Sequence, residues 1–227
     1  MKALLITGSP KGRASVSRQF GAALLDRLAA RGSETEETSV AEILRSSEER
    51  HRFYRAADAA DVIVVSFPLY VDQLPAPLIQ TLELLADRRL GAQGATPWPG
   101  PLAQRLVAIV QCGFWESHQN RPAVDIMRQF ARETGFVWAG GLAMGAGGAL
   151  SGKSLDKAGG MVRNAARALD LAAAALAEGG LVPPEAEALM AKPLMPRWLY
   201  HPAANWGFRH LLKKHGAKAR TYDRPYA

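Results

Sequence analysis

Residues 4–20, LLITGSPKGRASVSRQF, decide how the rest of the chain is read. An apolar run stops at Gly8, passes through small and hydroxyl residues carrying Lys11 and Arg13, and then takes up helical spacing. That is a buried strand, a glycine turn and a helix start, the opening of a βα unit. The same unit recurs further along. Residues 3–7 (ALLIT), 61–67 (DVIVVSF) and 105–111 (RLVAIVQ) are apolar nearly throughout, as strands buried on both faces are. Residues 136–144 make a fourth strand, and 35–40 a weaker one suited to an edge. Helical spacing covers 15–30, 48–60, 76–87, 123–134 and 154–178. Strand and helix alternate five times, which predicts an α/β fold with helices on both faces of a parallel sheet. Right-handed crossovers leave few arrangements, and the doubly wound five-stranded order 2-1-3-4-5 fits this size.

A chain of 227 residues, 48% of them hydrophobic, buries one sizeable core. Residues 1–180 are expected to form that domain and 181–227 a C-terminal extension packed on it or on a partner subunit. No run of eighteen apolar residues is present, and the apolar part of the N-terminus is too short for a secretory signal, so a cytoplasmic protein is expected. Cys112 is the only cysteine, which leaves no internal disulfide and no multi-cysteine metal cluster. Net charge is +7 and unevenly placed. Lysines and arginines balance acids through Ala191, whereas from Lys192 onward eight cations face Asp223 alone. The extension carries the whole excess, a property that concerns partners rather than fold.

In a doubly wound sheet, ligands sit beyond the carboxyl ends of the strands, where the strand order reverses. Three loops reach that edge. In residues 8–17, Gly8 permits a tight turn and Pro10 fixes the chain direction. Ser15 and Ser17 offer hydroxyls, and the amides around Val16 open a helix whose free N–H groups suit an anion. The pattern serves a phosphate monoester or a plain serine N-cap equally well. Residues 68–75 (PLYVDQLP) form an irregular segment carrying Leu69 and Tyr70 between two prolines. Residues 111–117 (QCGFWES) place Gly113, Phe114 and Trp115 after the next strand. Aromatics there pack as rim or cover a flat ring.

Taken together, GSPKGRASVS (8–17), PLYVDQLPAPL (68–78), QCGFWE (111–116) and GAGGALSG (145–152) resemble the flavodoxin-like NADPH-dependent FMN reductases. The ending RHLLKKHG (209–216) extends the likeness. The resemblance implies a flavodoxin-like fold, FMN as cofactor, NAD(P)H as co-substrate and a homodimer. It implies that Ser9, Lys11, Ser15, Val16 and Ser17 hold the FMN phosphate. It also implies that Pro68, Leu69, Tyr70 and Val71, with Cys112, Gly113, Phe114 and Trp115, contact the isoalloxazine. Some relatives carry a cysteine-rich segment binding an iron–sulfur cluster. The corresponding SVAEILRSSEERHRFYRAADAAD (39–61) has no cysteine, so no cluster is expected.

Hydride transfer between two stacked rings needs no protein nucleophile, so no catalytic acid or base is assigned. Backbone N–H groups of residues 69–71 and 113–116 are the expected donors to the reduced ring. The expected reaction passes reducing equivalents to a small acceptor such as a quinone or free flavin. Two other readings stand beside it. GGALSGKS (147–154) satisfies a P-loop pattern, but none of the apolar strands ends in the aspartate that such a site needs. The extension interleaves cations with Trp198, Tyr200, Trp206 and Phe208. This suits a module contacting nucleic acid or anionic lipid, or a packed arm with a helix over 203–215.

Overall fold

The computed structural model describes residues 1–91, 100, 103–150 and 155–216, apart from the side chains of Arg13, Asp156 and Lys157. Five strands, β1 (Lys2–Thr7), β2 (Glu34–Ser39), β3 (Val62–Pro68), β4 (Arg105–Gln111) and β5 (Val137–Met144), form one sheet. Their order is β2-β1-β3-β4-β5 and every pairing is parallel. This is the expected doubly wound, flavodoxin-like sheet.

Among the described residues seven α-helices lie within the first of two compact units, Met1–Leu194, with α1 (Val16–Ala29) and α6 (Arg163–Ala177) packed against each other. Phe20, Leu24 and Leu28 of α1 are fully buried, each stabilising the fold by roughly 1.5–3 kcal/mol relative to exposure. The approach is close because Gly21 has no side chain: a Cβ there would lie 2.6 Å from Leu5 Cδ1. The other sheet face carries Leu4, Ile6, Ile63, Val65, Leu106 and Ala108 in one apolar cluster. Packed into it are α2 (Val40–Ile43), α3 (Ser47–Ala59), α4 (Ala76–Leu90) and α5 (Arg121–Glu133).

Beyond α6, the short α7 (Pro184–Met190) packs on both α6 and β5. It covers the outer edge of β5. The Val182 amide donates to Ala139 O at 2.7 Å, and Glu187 Oε1 accepts from the Gly141 amide at 2.9 Å. The strand is irregular there, since Val107 pairs with Gly140 one residue out of step with Leu106 and Trp138. Glu187 thus satisfies an amide that the neighbouring strand does not take.

Several boundaries differ from expectation. Helix α6 begins at Arg163 rather than 154, because Gly159 adopts φ 54° and ψ −135° and breaks the 3-10 turns that precede it. The second unit, Met195–Ala227, contains α8 (Arg197–Lys214). It starts six residues before the expected 203 and runs through Pro202. Among the described residues, no helix is long and apolar enough to cross a membrane.

Candidate flavin site

The first loop leaves β1 and turns immediately into α1. The Gly8 amide donates to Ser66 O at 2.9 Å, which extends the β1–β3 pairing by one step. The chain then makes a 3-10 turn over Gly12–Ala14, entered with Gly12 at φ 56°. Ser15, extended at φ −79° and ψ 143°, caps α1 by accepting from the Arg18 amide at 3.2 Å. The Gln19 amide reaches Ser15 O at 3.3 Å. The amides of Val16 and Ser17 therefore leave the helix end without an acceptor inside the helix, the arrangement that favours an anion.

Ser9, Ser15 and Ser17 are all buried. Ser9 Oγ accepts from the Lys11 amide at 3.3 Å. Ser17 Oγ is wholly buried and has no hydrogen-bond partner among the described residues, and the same holds for Thr7 Oγ1 at the end of β1. Two orphaned hydroxyls at one loop are unusual, because a buried polar group without a partner costs about 1–3 kcal/mol. Lys11 is exposed beside them. Across the loop, Arg18 grips Glu37 of β2 through two hydrogen bonds and is not free for an anion.

The second loop follows β3. Leu69 continues the strand pairing, its amide donating to Gln111 O at 2.8 Å. Tyr70 and Gln73 then exchange backbone hydrogen bonds at 2.9 and 3.0 Å across a two-residue turn. Val71 at φ 48° and Asp72 at φ 60° occupy its tip. Left-handed backbone is costly for a β-branched residue, so this turn stores strain. Val71 is 96% exposed and Tyr70 partly so. One expectation is corrected here. The amides of Leu69 and Tyr70 are committed to protein carbonyls, and among the described residues those of Val71, Asp72 and Leu74 meet no backbone acceptor.

The third loop, after β4, is stapled to the end of β5. The Cys112 amide donates to Met144 O at 3.1 Å, the Gly147 amide to Cys112 O at 2.9 Å, and the Ala146 amide to Phe114 O at 2.5 Å. Phe114 is exposed, and Trp115 and Glu116 are half-buried. A side chain at residue 145 has no room, since a Cβ there would fall 2.3 Å from Trp115 O. Asn120, missed by the sequence reading, holds this junction from within. Its Nδ2 donates to Ser117 O and Met144 O, both at 3.0 Å, and lies 3.5 Å from Cys112 Sγ. The Cys112 thiol faces Phe114 O and Glu116 O, and burial pushes its pKa up. It is a packed thiol, not a thiolate nucleophile.

The three loops share the carboxyl edge of the sheet, as the sequence requires. A hollow lined by Asp72, His118, Gln119, Arg121, Pro122 and Asp125 adjoins the second and third of them. Another, lined by Lys2, Glu34, Arg52 and Arg55 among others, lies by the amino ends of β1 and β2, where none of the proposed site residues lie. Of the P-loop pattern, Gly147–Leu150 forms a 3-10 turn; residues 151–154, with its lysine and serine, lie outside the described residues.

Residues 1–149 match the family model described as NADPH-dependent FMN reductase. The chain belongs to this family. Membership makes it an NAD(P)H-dependent flavin oxidoreductase with FMN as cofactor. No curated protein matches the reductase at a significant level. Among solved structures it is similar to an FMN-dependent NADH-azoreductase from Bacillus anthracis str. Ames Ancestor in complex with FMN. The identity is 15%, with 78% of this chain and 100% of that chain covered and a TM-score of 0.54. The Trp repressor binding protein from Bacillus subtilis is 12% identical, with 74% and 95% covered and a TM-score of 0.53. An azoreductase from Bacillus anthracis str. Sterne is 16% identical, with 75% and 99% covered and a TM-score of 0.50. At these identities the likeness establishes the shared fold.

Proposed function

We propose that the three loops hold FMN and that the reductase passes reducing equivalents from NAD(P)H to a small planar acceptor, a quinone or free flavin. The observation that carries the reading is the pair of orphaned hydroxyls, Ser17 Oγ and Thr7 Oγ1, buried at the start of α1 and the end of β1. A phosphate received there gives Ser17 the acceptor it lacks, joined by the Val16 and Ser17 amides, the Ser9 and Ser15 hydroxyls and the Lys11 ammonium. These residues fit the phosphate end of FMN.

The ring end falls to Pro68–Val71 and Cys112–Trp115. The isoalloxazine, when bound, accepts a hydride and carries the electrons onward. The chain's own contribution is positional. The turn at Val71–Asp72 offers two amides to an anionic ring edge, and the Tyr70–Gln73 backbone hydrogen bonds hold that turn against its strain. Tyr70 and Phe114, both exposed, shield the ring from water on either side of the loops. The hollow beside Asp72 and His118 is the place for the second planar substrate, with Arg121 at its rim. A homodimer and a cytoplasmic location belong to the same proposal; light scattering and fractionation read them.

The test is a titration of protein freed of cofactor with FMN, followed by flavin fluorescence. Saturable quenching that is lost in Ser17→Glu, with circular dichroism unchanged, supports the phosphate assignment. Equal affinity in Ser17→Glu and wild type overturns it. Steady-state oxidation of NADPH with a quinone or free flavin then identifies the acceptor.

A further inference from the structure

Helix α8 belongs to none of the three loops assigned to the flavin, and its sequence mixes aromatic residues with cations and carries no acid. None of its residues is buried. Trp198 is 76% exposed and Trp206 71%, and Leu199, Phe208 and Leu211 are exposed with them. Between Arg197 and Lys214 there are four cations, Arg197, Arg209, Lys213 and Lys214, and no acid. The sequence beyond adds Lys218, Arg220 and Arg224 against Asp223. At 3.6 residues per turn, Trp198, Leu199, Trp206, Arg209 and Lys213 fall within an arc of about 100°. Two rings and two cations therefore share one side with Leu199, while Phe208 and Leu211 lie on the opposite side. His210 stacks on Trp206 there, with centroids 5.6 Å apart.

We propose that α8 docks on an anionic lipid surface, with Trp198, Leu199 and Trp206 entering the headgroup region and Arg209 and Lys213 reaching phosphates beside them. Indole rings favour that boundary because one edge is apolar and the other donates a hydrogen bond. Long basic side chains lie along apolar surface and keep their charge at the phosphate level, so cations beside tryptophans suit this medium. Two other occupants fit less well. Pairing α8 with α8 of a second copy brings eight cations together with no acid between them. A nucleic acid would use the cations and the rings but gives no place to the exposed Leu199 beside Trp206 on that side. The inference is independent of the flavin site.

The experiment is co-sedimentation of the full-length protein with vesicles of phosphatidylglycerol and phosphatidylcholine, against vesicles of phosphatidylcholine alone. Binding to the anionic vesicles only is expected, weakening about tenfold or more as salt rises from about 0.05 M to about 0.5 M. Replacing Arg209, Lys213 and Lys214 together by glutamine weakens it on the order of a hundredfold. Trp198→Ala with Trp206→Ala removes a further share at unchanged salt, with circular dichroism and thermal midpoint as controls for folding. The proposal is overturned by absence of vesicle binding at low salt, or by equal binding to both vesicle types. Duplex DNA binding tighter than the vesicles at the same salt also overturns it, and so does an α8-dependent dimer seen by light scattering without vesicle binding.

Discussion

The hydroxyl of Ser66, in the middle of β3, donates to the carbonyl of Ser17 in the first turn of α1 at 2.6 Å. Both residues are fully buried. A side chain of the central sheet thereby fixes the turn that carries the candidate phosphate ligands.

Ser66→Ala removes the side-chain donor that β3 offers to that turn. A loss of about 1 kcal/mol of stability is expected, read by urea denaturation. FMN affinity should fall several-fold in the same protein, because the Ser17 hydroxyl is no longer held in place. Unchanged affinity with reduced stability would show that the turn is positioned by packing alone.

Val71 sits at φ 48° with its side chain almost wholly in water, so it gains little from packing to offset the left-handed backbone. Asparagine tolerates that region, and Val71→Asn should stabilise the protein by about 1 kcal/mol. For a chain of this size the thermal midpoint rises by about 2–4 °C. A fall in the midpoint would mean that the isopropyl group makes a contact worth more than the strain.

Burial raises the pKa of the Cys112 thiol in the folded state. The folded protein then holds the proton more tightly than the unfolded chain. Its contribution is fully present below the ordinary thiol pKa of about 8.5 and is lost as pH rises above it. Stability should decline more steeply above that pH in the wild type than in Cys112→Ala, with chemical denaturation across the alkaline range as the measurement. Iodoacetamide should modify the folded protein slowly at neutral pH. Rapid alkylation would contradict the packed position of the thiol.

The parallel strands were legible because both faces are covered, which writes β1, β3 and β4 as unbroken apolar runs. β2 was faint for the opposite reason: as an edge strand reading ETEETS it buries almost nothing. Local signals failed where tertiary contacts decide. Gly159 and Gly160 stop α6 from beginning early, although the surrounding residues have helical spacing. The helix expected over 203–215 begins at Arg197 instead, and α8 absorbs Pro202 within its second turn. The candidate phosphate loop stood out through its serines, since capping and anion binding demand the same residues. Asn120 was invisible. It occupies a helix start without making a cap bond, and its amide reaches Met144 O twenty-four residues away. No spacing rule encodes such a pair.

The covering of β5 by α7 has a consequence for how the chain behaves among its own copies. A sheet ends in two rows of unpaired backbone groups, and each row invites another strand. On the β5 side, Val182 and Glu187 already occupy that row. On the β2 side Glu34, Glu36 and Glu37 stand along the row, Glu34 paired with Lys2 and Glu37 with Arg18, so an approaching strand would have to bury a charged margin. One margin is closed by a strap and the other lined with charge. Deleting residues 181–194 would uncover the first margin and convert a self-limiting sheet into one able to grow by strand addition.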